Sequence, residues 1–99
     1  MSIPKYASRR DDNELPIIDA LEAAGWGVLQ LNATGVPDLL VGRGKRLYLL
    51  EIIGEEKAKK YRHSGGLTPD QVHFHSRWPG EIHLVKTPEA ALAIVRRKT

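Results

Sequence analysis

The sequence predicts one α/β domain in which helices flank a mixed central sheet. The chain has 99 residues, which is enough for one hydrophobic core and too few for two. Segments with helical and with strand-like spacing of apolar residues alternate along it. The most apolar segment, residues 47–53, shows no alternation with polar residues, which is typical of a central strand covered on both faces. The predicted order of elements is α-β-β-β-α-β-α.

The first half of the chain predicts one helix and three strands. Asp12 or Asn13 caps a helix that continues to Gly25, and Pro16 is tolerated because it falls in the first turn. Strands follow at residues 26–31 and 39–41. Residues 42–45 include two glycines and predict a turn, so the second and third strands form a hairpin.

The second half predicts a loop, a helix, a strand and a final helix. Residues 54–66 are charged and end in glycine, so we expect a mobile basic loop there. Thr68 and Gln71 form a capping box at the start of a helix that ends before residue 79. A strand at residues 82–85 and a helix from residue 87 complete a single domain spanning residues 1–99, with a basic arm at residues 1–10. We expect Trp26 and Trp78, which flank apolar segments, to lie in the core.

Several classes of function are excluded by composition. The chain has no cysteine, which rules out disulfide frameworks, zinc–thiolate sites and thiol nucleophiles. It has no recognisable signal peptide and no apolar run near the ~20 residues of a membrane span, so we expect a cytoplasmic protein without a membrane partner. It also has no glycine-rich phosphate loop and no serine-nucleophile motif, which argues against a nucleotide cofactor and against serine hydrolases.

The charged residues are unevenly distributed. Lys and Arg number 15 against 12 Asp and Glu, so the net charge is +3 with neutral histidines. The positive residues occur in clusters at the termini and in glycine-bearing segments, whereas the acidic residues are mostly single. This separation is typical of a polyanion-binding rim around an acidic site, and charge that serves only solubility is the alternative.

Three acidic residues occur where an ionised carboxylate is costly. Glu14 shares the apolar face of the first helix, Asp38 leads directly into the second strand, and Glu51 lies inside the most apolar strand. The predicted hairpin places Asp38 beside Glu51. For a single buried acid, a cap or an ion pair is the alternative, but the apolar elements contain no Lys or Arg to pair all three. Converging carboxylates therefore predict a site for Mg²⁺ or Mn²⁺.

These residues carry a resemblance to a known family. Glu14, the segment Gly35-Val36-Pro37-Asp38, the strand bearing Glu51 and the helix start with Gln71 resemble the PD-(D/E)XK nuclease superfamily, and most of all its VRR-NUC branch of small stand-alone phage and bacterial proteins. The likeness covers about residues 9–92. It implies a restriction-endonuclease-like core and a metal-dependent DNA endonuclease.

The resemblance also implies roles for individual residues. Asp38, Glu51 and the backbone carbonyl of Ile52 would bind Mg²⁺ or Mn²⁺, and Glu14 would act directly or through water. Gln71 would lie near the active site, although its capping box explains it equally well. The residues expected to contact DNA are Arg9, Arg10, Arg43, Lys45, Lys57, Lys59, Lys60 and Arg62.

The chain departs from the family pattern at one position. The pattern asks for Lys two residues after Glu51, and this chain has Ile53, which neither stabilises charge on a phosphate nor helps to activate water. Three explanations remain open: an introduced substitution, natural loss of catalysis, or another cation in the same role. Lys57 is the first candidate for that cation, with Lys59 and Lys60 behind it. We nevertheless expect Lys57 to be mainly a phosphate contact, because it lies four residues beyond the strand.

Three functions follow, in descending order of support. The first is an endonuclease for branched or junction DNA, impaired by Ile53 and acting as a homodimer in a bacterial or phage-infected cell. The second is a catalytically inactive DNA-binding module on a nuclease scaffold. The third is a structural or protein-interaction domain whose acids are satisfied internally. His73 and His75 lie about 200° apart around a helix, so we expect surface or partly buried histidines rather than a shared metal site.

Overall fold

A computed structural model describes residues 12–97. These residues form first a helix and a three-stranded meander, and then helices before and after a short strand. The elements are α1 (Glu14–Ala23), β1 (Gly27–Gln30), β2 (Leu39–Arg43), β3 (Arg46–Ile52), α2 (Glu55–Lys60), a 3₁₀ turn (Arg62–Ser64), α3 (Pro69–Arg77), β4 (His83–Val85) and α4 (Pro88–Val95). No helix among these residues is long and apolar enough to cross a bilayer.

The four strands form one mixed sheet, which confirms the predicted α/β class. The strand order is β1-β2-β3-β4; the first three strands are antiparallel, and β4 runs parallel to β3. Leu39 is paired with Leu50 across β2 and β3. Asn13 links the start of α1 to the ends of the two parallel strands, because its Nδ2 donates to the carbonyls of Ile53 at 3.3 Å and Lys86 at 2.8 Å.

The hydrophobic core lies on one face of the sheet, under α1 and α4. It combines side chains of both helices with alternate residues of the strands: Ile17, Ile18, Leu21, Trp26, Val28, Leu39, Val41, Leu50, Ile52, Val85, Ala91, Ile94 and Val95. Helix and strand periodicity direct these residues to one side, as expected for amphipathic elements.

The opposite face of the sheet is only partly covered. β3 is buried on both faces from Leu50 onwards, whereas Leu47 at its start is 69% exposed. The prediction that the whole of β3 is covered on both faces was therefore wrong. The expectation that Trp78 lies in the core was also wrong, because its side chain is 43% exposed. Trp26 lies in the core as expected.

Residues 54–66 contain a short helix and a 3₁₀ turn, so the prediction of a loop without regular structure was wrong. Helix α2 has Glu55 and Glu56 in its first turn and lysines in its last, which complements the helix dipole. Lys59 Nζ also lies 3.6 Å from Oε1 of Glu55, which is one helical turn earlier. None of its residues is buried, so α2 has no apolar periodicity from which to predict it.

The segment after α2 is packed against the end of β3 through Gly66. Gly66 has φ +94°, and a Cβ at this position would lie 2.5 Å from Cγ2 of Ile53. Gly65, its neighbour, has φ +65° and open space where its Cβ would be. Position 66 therefore requires glycine both for its backbone conformation and for its close contact with Ile53, whereas position 65 favours glycine for its backbone conformation alone.

We expect Gly66→Ala to lower the free energy of unfolding more than Gly65→Ala. The Gly65→Ala change adds only left-handed backbone strain of about 1–2 kcal/mol. The Gly66→Ala change adds the clash with Ile53 as well, for which overpacking costs about 1–3 kcal/mol. Urea unfolding of both variants measures the difference, and equal losses would contradict the packing of Gly66 on Ile53.

Candidate active site

Asp38 directly precedes β2, and Glu51 lies on the adjacent strand β3 at the same end of the sheet. Since Leu39 is paired with Leu50, the register places Asp38 directly opposite Glu51. Asp38 Oδ2 accepts a hydrogen bond from the backbone N–H of Ile52 at 2.7 Å. The turn before Asp38 rests on α3, because a Cβ on Gly35, which has φ +80°, would lie 2.8 Å from the carbonyl oxygen of Asp70. Sheet pairing and this turn therefore hold the Asp38 carboxylate beside β3.

Glu51 is fully buried and surrounded by polar groups from two helices. Gln71 Nε2 donates to Glu51 Oε2 at 3.0 Å, and His75 Nε2 lies 3.0 Å from Oε1. Lys57 Nζ lies 3.9 Å from Oε2. This cation comes from α2, outside the apolar elements, which contain no Lys or Arg to pair the acids.

Gln71 performs both of the roles that the sequence left open. Its Oε1 accepts from the backbone N–H of Thr68 at 2.9 Å, and its own N–H donates to Thr68 Oγ1 at 3.2 Å, which completes the capping box of α3. Its Nε2 remains available as a donor and contacts Glu51. One amide thus fixes the start of α3 and orients the buried carboxylate.

Lys57 reaches back to the site, contrary to the argument that it lies too far beyond the strand. Gly54 is extended, and α2 begins at Glu55, so the chain reverses within its first turn. Lys57 Nζ then donates to the carbonyl oxygen of Ile52 at 3.3 Å. Its side chain is only 17% exposed, whereas that of Lys59 on the same helix is 79% exposed. The ammonium group therefore lies between Glu51 and the carbonyl expected to bind a metal ion.

His75 is the site residue that the sequence analysis missed. Burial lowers its pKa below the ordinary value, and the nearby Lys57 ammonium lowers that pKa further. The ring is therefore neutral near pH 7, and a proton on Nε2 lets it donate to Glu51. The available signal was its spacing from Gln71, because residues four apart share a helix face.

Ile53 is a packed apolar residue rather than an opening in the site. It is 2% exposed, and its N–H donates to the carbonyl of Val85 at 2.9 Å, one residue beyond the end of β3. Its side chain meets Gly66. Position 53 therefore has a structural role in this chain.

Glu14 lies at the start of α1 and is 1% exposed. Its Oε2 accepts from Gln30 Nε2 at 2.7 Å. Among residues 12–97, no three His, Asp or Glu side chains form a group able to bind a metal ion. The structure thus brings Asp38 and Glu51 together on neighbouring strands without the three-carboxylate cluster that the sequence suggested.

The basic residues expected to contact DNA divide into separate regions. Lys57, Lys59 and Lys60 lie on α2 beside Glu51, and Arg62 begins the 3₁₀ turn that follows. Arg43 and Lys45 lie at the hairpin, about 16 Å along the strands from Asp38 at ~3.3 Å per residue. They do not belong to a rim around the acidic pair. Arg9 and Arg10, with the basic arm, lie outside the described residues.

Arg43 also has contacts within the fold. Its Nη1 donates to the carbonyl of Ala24 at 3.2 Å, and its guanidinium lies 6.0 Å from the ring centroid of Trp26. The guanidinium carbon of Arg46 lies 5.5 Å from the centroid of the same ring. These arginines therefore cover the edge of the core as well as adding positive charge at the hairpin.

We expect Gln71→Glu to lower the free energy of unfolding by about 1.5–3 kcal/mol, the usual range for hydrogen bonds to charged groups. Glutamate keeps the acceptor that the capping box needs, but it loses the donor to Glu51 and places a second carboxylate there. Thr68→Ala, the matched control for loss of the cap, should cost ~1 kcal/mol. Urea unfolding compares the two variants, and an unchanged stability of Gln71→Glu would contradict the contact with Glu51.

Comparisons with known proteins add no assignment to this geometry. No family model matches the chain, no curated protein matches it, and no solved structure matches it.

Proposed function

We propose that this chain is a metal-dependent DNA endonuclease with a restriction-endonuclease-like core, in which Lys57 supplies the cation that Ile53 does not. The observation that carries the proposal is the position of Lys57 Nζ, 3.3 Å from the Ile52 carbonyl and 3.9 Å from Glu51 Oε2. A cation is thus held beside the acidic pair from a different point in the sequence.

The residues around Lys57 fit a divalent metal ion. Asp38, Glu51 and the Ile52 carbonyl supply only oxygen atoms, the donors that Mg²⁺ and Mn²⁺ prefer. Mg²⁺ is commonly bound by one or two carboxylates together with waters and substrate phosphate, so a third carboxylate is not required. The bound ion would activate water and polarise the phosphate. The contact of the Lys57 ammonium group with the Ile52 carbonyl and Glu51 supports a cation at this position.

The chain's own residues would orient the site and stabilise charge. Gln71 and His75 fix both oxygens of Glu51, so the carboxylate is oriented before a substrate binds. The ammonium group of Lys57 would stabilise negative charge on the phosphate as the bond to water forms.

Several basic side chains would hold the DNA backbone near this site. Lys59 and Lys60 on α2, with Arg62 after it, would contact neighbouring phosphates. A domain of 99 residues has limited surface for contacting bases, so branched or junction DNA is the proposed substrate. A homodimer would allow two sites to act on two strands.

A catalytically inactive DNA-binding module is the second candidate. It is favoured by the way in which Lys57, Gln71 and His75 satisfy Glu51 within the chain, because a buried acid with such partners needs no metal ion. The packed Ile53 agrees with this candidate. Measurements of metal binding and of DNA cleavage distinguish this candidate from the nuclease.

We expect Mn²⁺ to raise the melting temperature of the protein and to raise that of Lys57→Ala by more, since the variant lacks the ammonium group that repels the ion. A ligand at 100 times its Kd stabilises the folded state by about 2.7 kcal/mol. Glu51→Gln should abolish the shift. Differential scanning fluorimetry measures it, and no shift in either the wild type or Lys57→Ala would refute the metal site.

We expect Lys57→Ala to reduce Mn²⁺-dependent cleavage of labelled four-way-junction DNA by about 10²–10³-fold, as when one stabilising contact to the transition state is lost. Lys59→Ala, which removes an exposed phosphate contact on the same helix, should weaken DNA binding but change the rate at saturating protein little. Denaturing gels of single-turnover reactions provide the rates.

Ile53→Lys completes the cleavage experiment. With Lys57 in place, this variant should cut no faster than the wild type. Cleavage by Ile53→Lys alone would show that Ile53 silences the site and that Lys57 does not replace the missing lysine. If the wild type and Ile53→Lys both bind the DNA and neither cleaves it, the chain is the catalytically inactive DNA-binding module instead.

A further inference from the structure

Helix α3 and the loop that carries Thr34 border a cavity. The cavity has a volume of about 380 Å³, within the ~300–1,000 Å³ range of small-molecule sites. Its lining combines two aromatic rings with polar and charged side chains: Thr34, Asp70, His73, Phe74, Arg77 and Trp78. The site around Glu51 uses none of these side chains.

The two aromatic rings form a fixed and accessible surface. Phe74 and Trp78 stack with ring centroids 5.5 Å apart and planes inclined by 18°. A Cβ on Gly80 would lie 2.9 Å from Trp78 Nε1, so the chain after α3 closely approaches the indole. Trp78 remains 43% exposed despite these contacts. Its position is set before any ligand arrives, which lowers the entropic cost of binding.

The polar groups beside the rings suit a nucleotide. Arg77 supplies a cation for a phosphate, and Thr34 and Asp70 offer hydrogen-bonding groups for the edge of a base. Stacking on an aromatic ring is available to every base, because each has a π-face. A flat ring with a phosphate attached therefore matches both the apolar and the charged parts of the cavity.

The cavity also lies close to the proposed nuclease site. Thr34 is four residues before Asp38, and its loop touches α3 through Gly35 and Asp70. Gln71, Phe74 and His75 lie on α3, and Trp78 directly follows the last residue of this helix. Asp70 and Phe74 of the cavity are adjacent in sequence to Gln71 and His75, which contact Glu51, so the two sites are neighbours.

We propose that this cavity binds an unpaired DNA base next to the strand held at Glu51, an inference that rests on the proposed nuclease function. Bases inside a duplex are paired and stacked on each other, so their faces are not available to Trp78. A flap or branch point presents an unpaired base without that cost. The cavity thereby gives the chain a physical means of preferring branched DNA to a continuous duplex.

The test compares three DNAs of equal length by fluorescence anisotropy without Mn²⁺, so that binding is measured apart from cleavage. They are a duplex, the same duplex with a thymidine flap, and the same duplex with an abasic flap. The abasic flap has the same number of phosphates as the thymidine flap but no bases. The wild type should bind the thymidine flap at least about fivefold more tightly than the abasic flap, from ~1 kcal/mol or more per stacked base.

Trp78→Ala should remove this preference and leave duplex affinity within about twofold, whereas Trp78→Phe should retain most of the preference. Val72→Ala is the matched control, because Val72 is similarly exposed on α3 but does not line the cavity. Equal binding of the two flaps by the wild type would overturn the base site, and this comparison requires no variant to fold. An equal loss on the duplex and the flap in Trp78→Ala would overturn it as well.

Cleavage of the same flap DNA in Mn²⁺ separates the two proposals. A Trp78-dependent flap preference without cleavage would refute the nuclease and retain the base site. Cleavage that is indifferent to the flap base would retain the nuclease and overturn the base site.

Discussion

The burial of the Glu51 carboxylate constrains the positions of the two helices on its side of the sheet, α2 and α3. Removing an ionised group from water costs several kcal/mol unless partners replace the lost hydration. Lys57 supplies a charge from α2, and Gln71 and His75 supply hydrogen-bonding groups from α3. Because these groups belong to different helices, the positions of α2 and α3 on the sheet are tied to a single side chain.

The sheet separates the hydrophobic core from the charged cluster around Glu51. Leu50 and Ile52 project into the core beneath α1 and α4, and Glu51 between them projects to the opposite face. The side chains around Glu51 are therefore separate from the side chains of the main core. This arrangement lets a domain of 99 residues bury a charged cluster without interrupting its hydrophobic core.

How far the sequence predicts this molecule depends on the signal that each feature leaves. The hairpin and the capping box have local signatures, so the alignment of Asp38 with Glu51 and the start of α3 follow from spacing alone. Helix α2 buries no residue, so neither its periodicity nor the return of Lys57 could be predicted. The position of Arg43 also follows from the predicted hairpin, because the turn at residues 42–45 lies at the opposite end of the strand from Asp38.

Lys57 has a thermodynamic consequence under the proposed function. A six-residue helix is unstable in isolation, so α2 depends on anchors such as the contact of Lys57 with Ile52. A DNA phosphate that drew this ammonium group away would leave Glu51 with less compensating charge and a stronger attraction for a divalent ion. Binding of DNA and of the ion would then be cooperative, and by linkage each would raise the affinity of the other to the same degree.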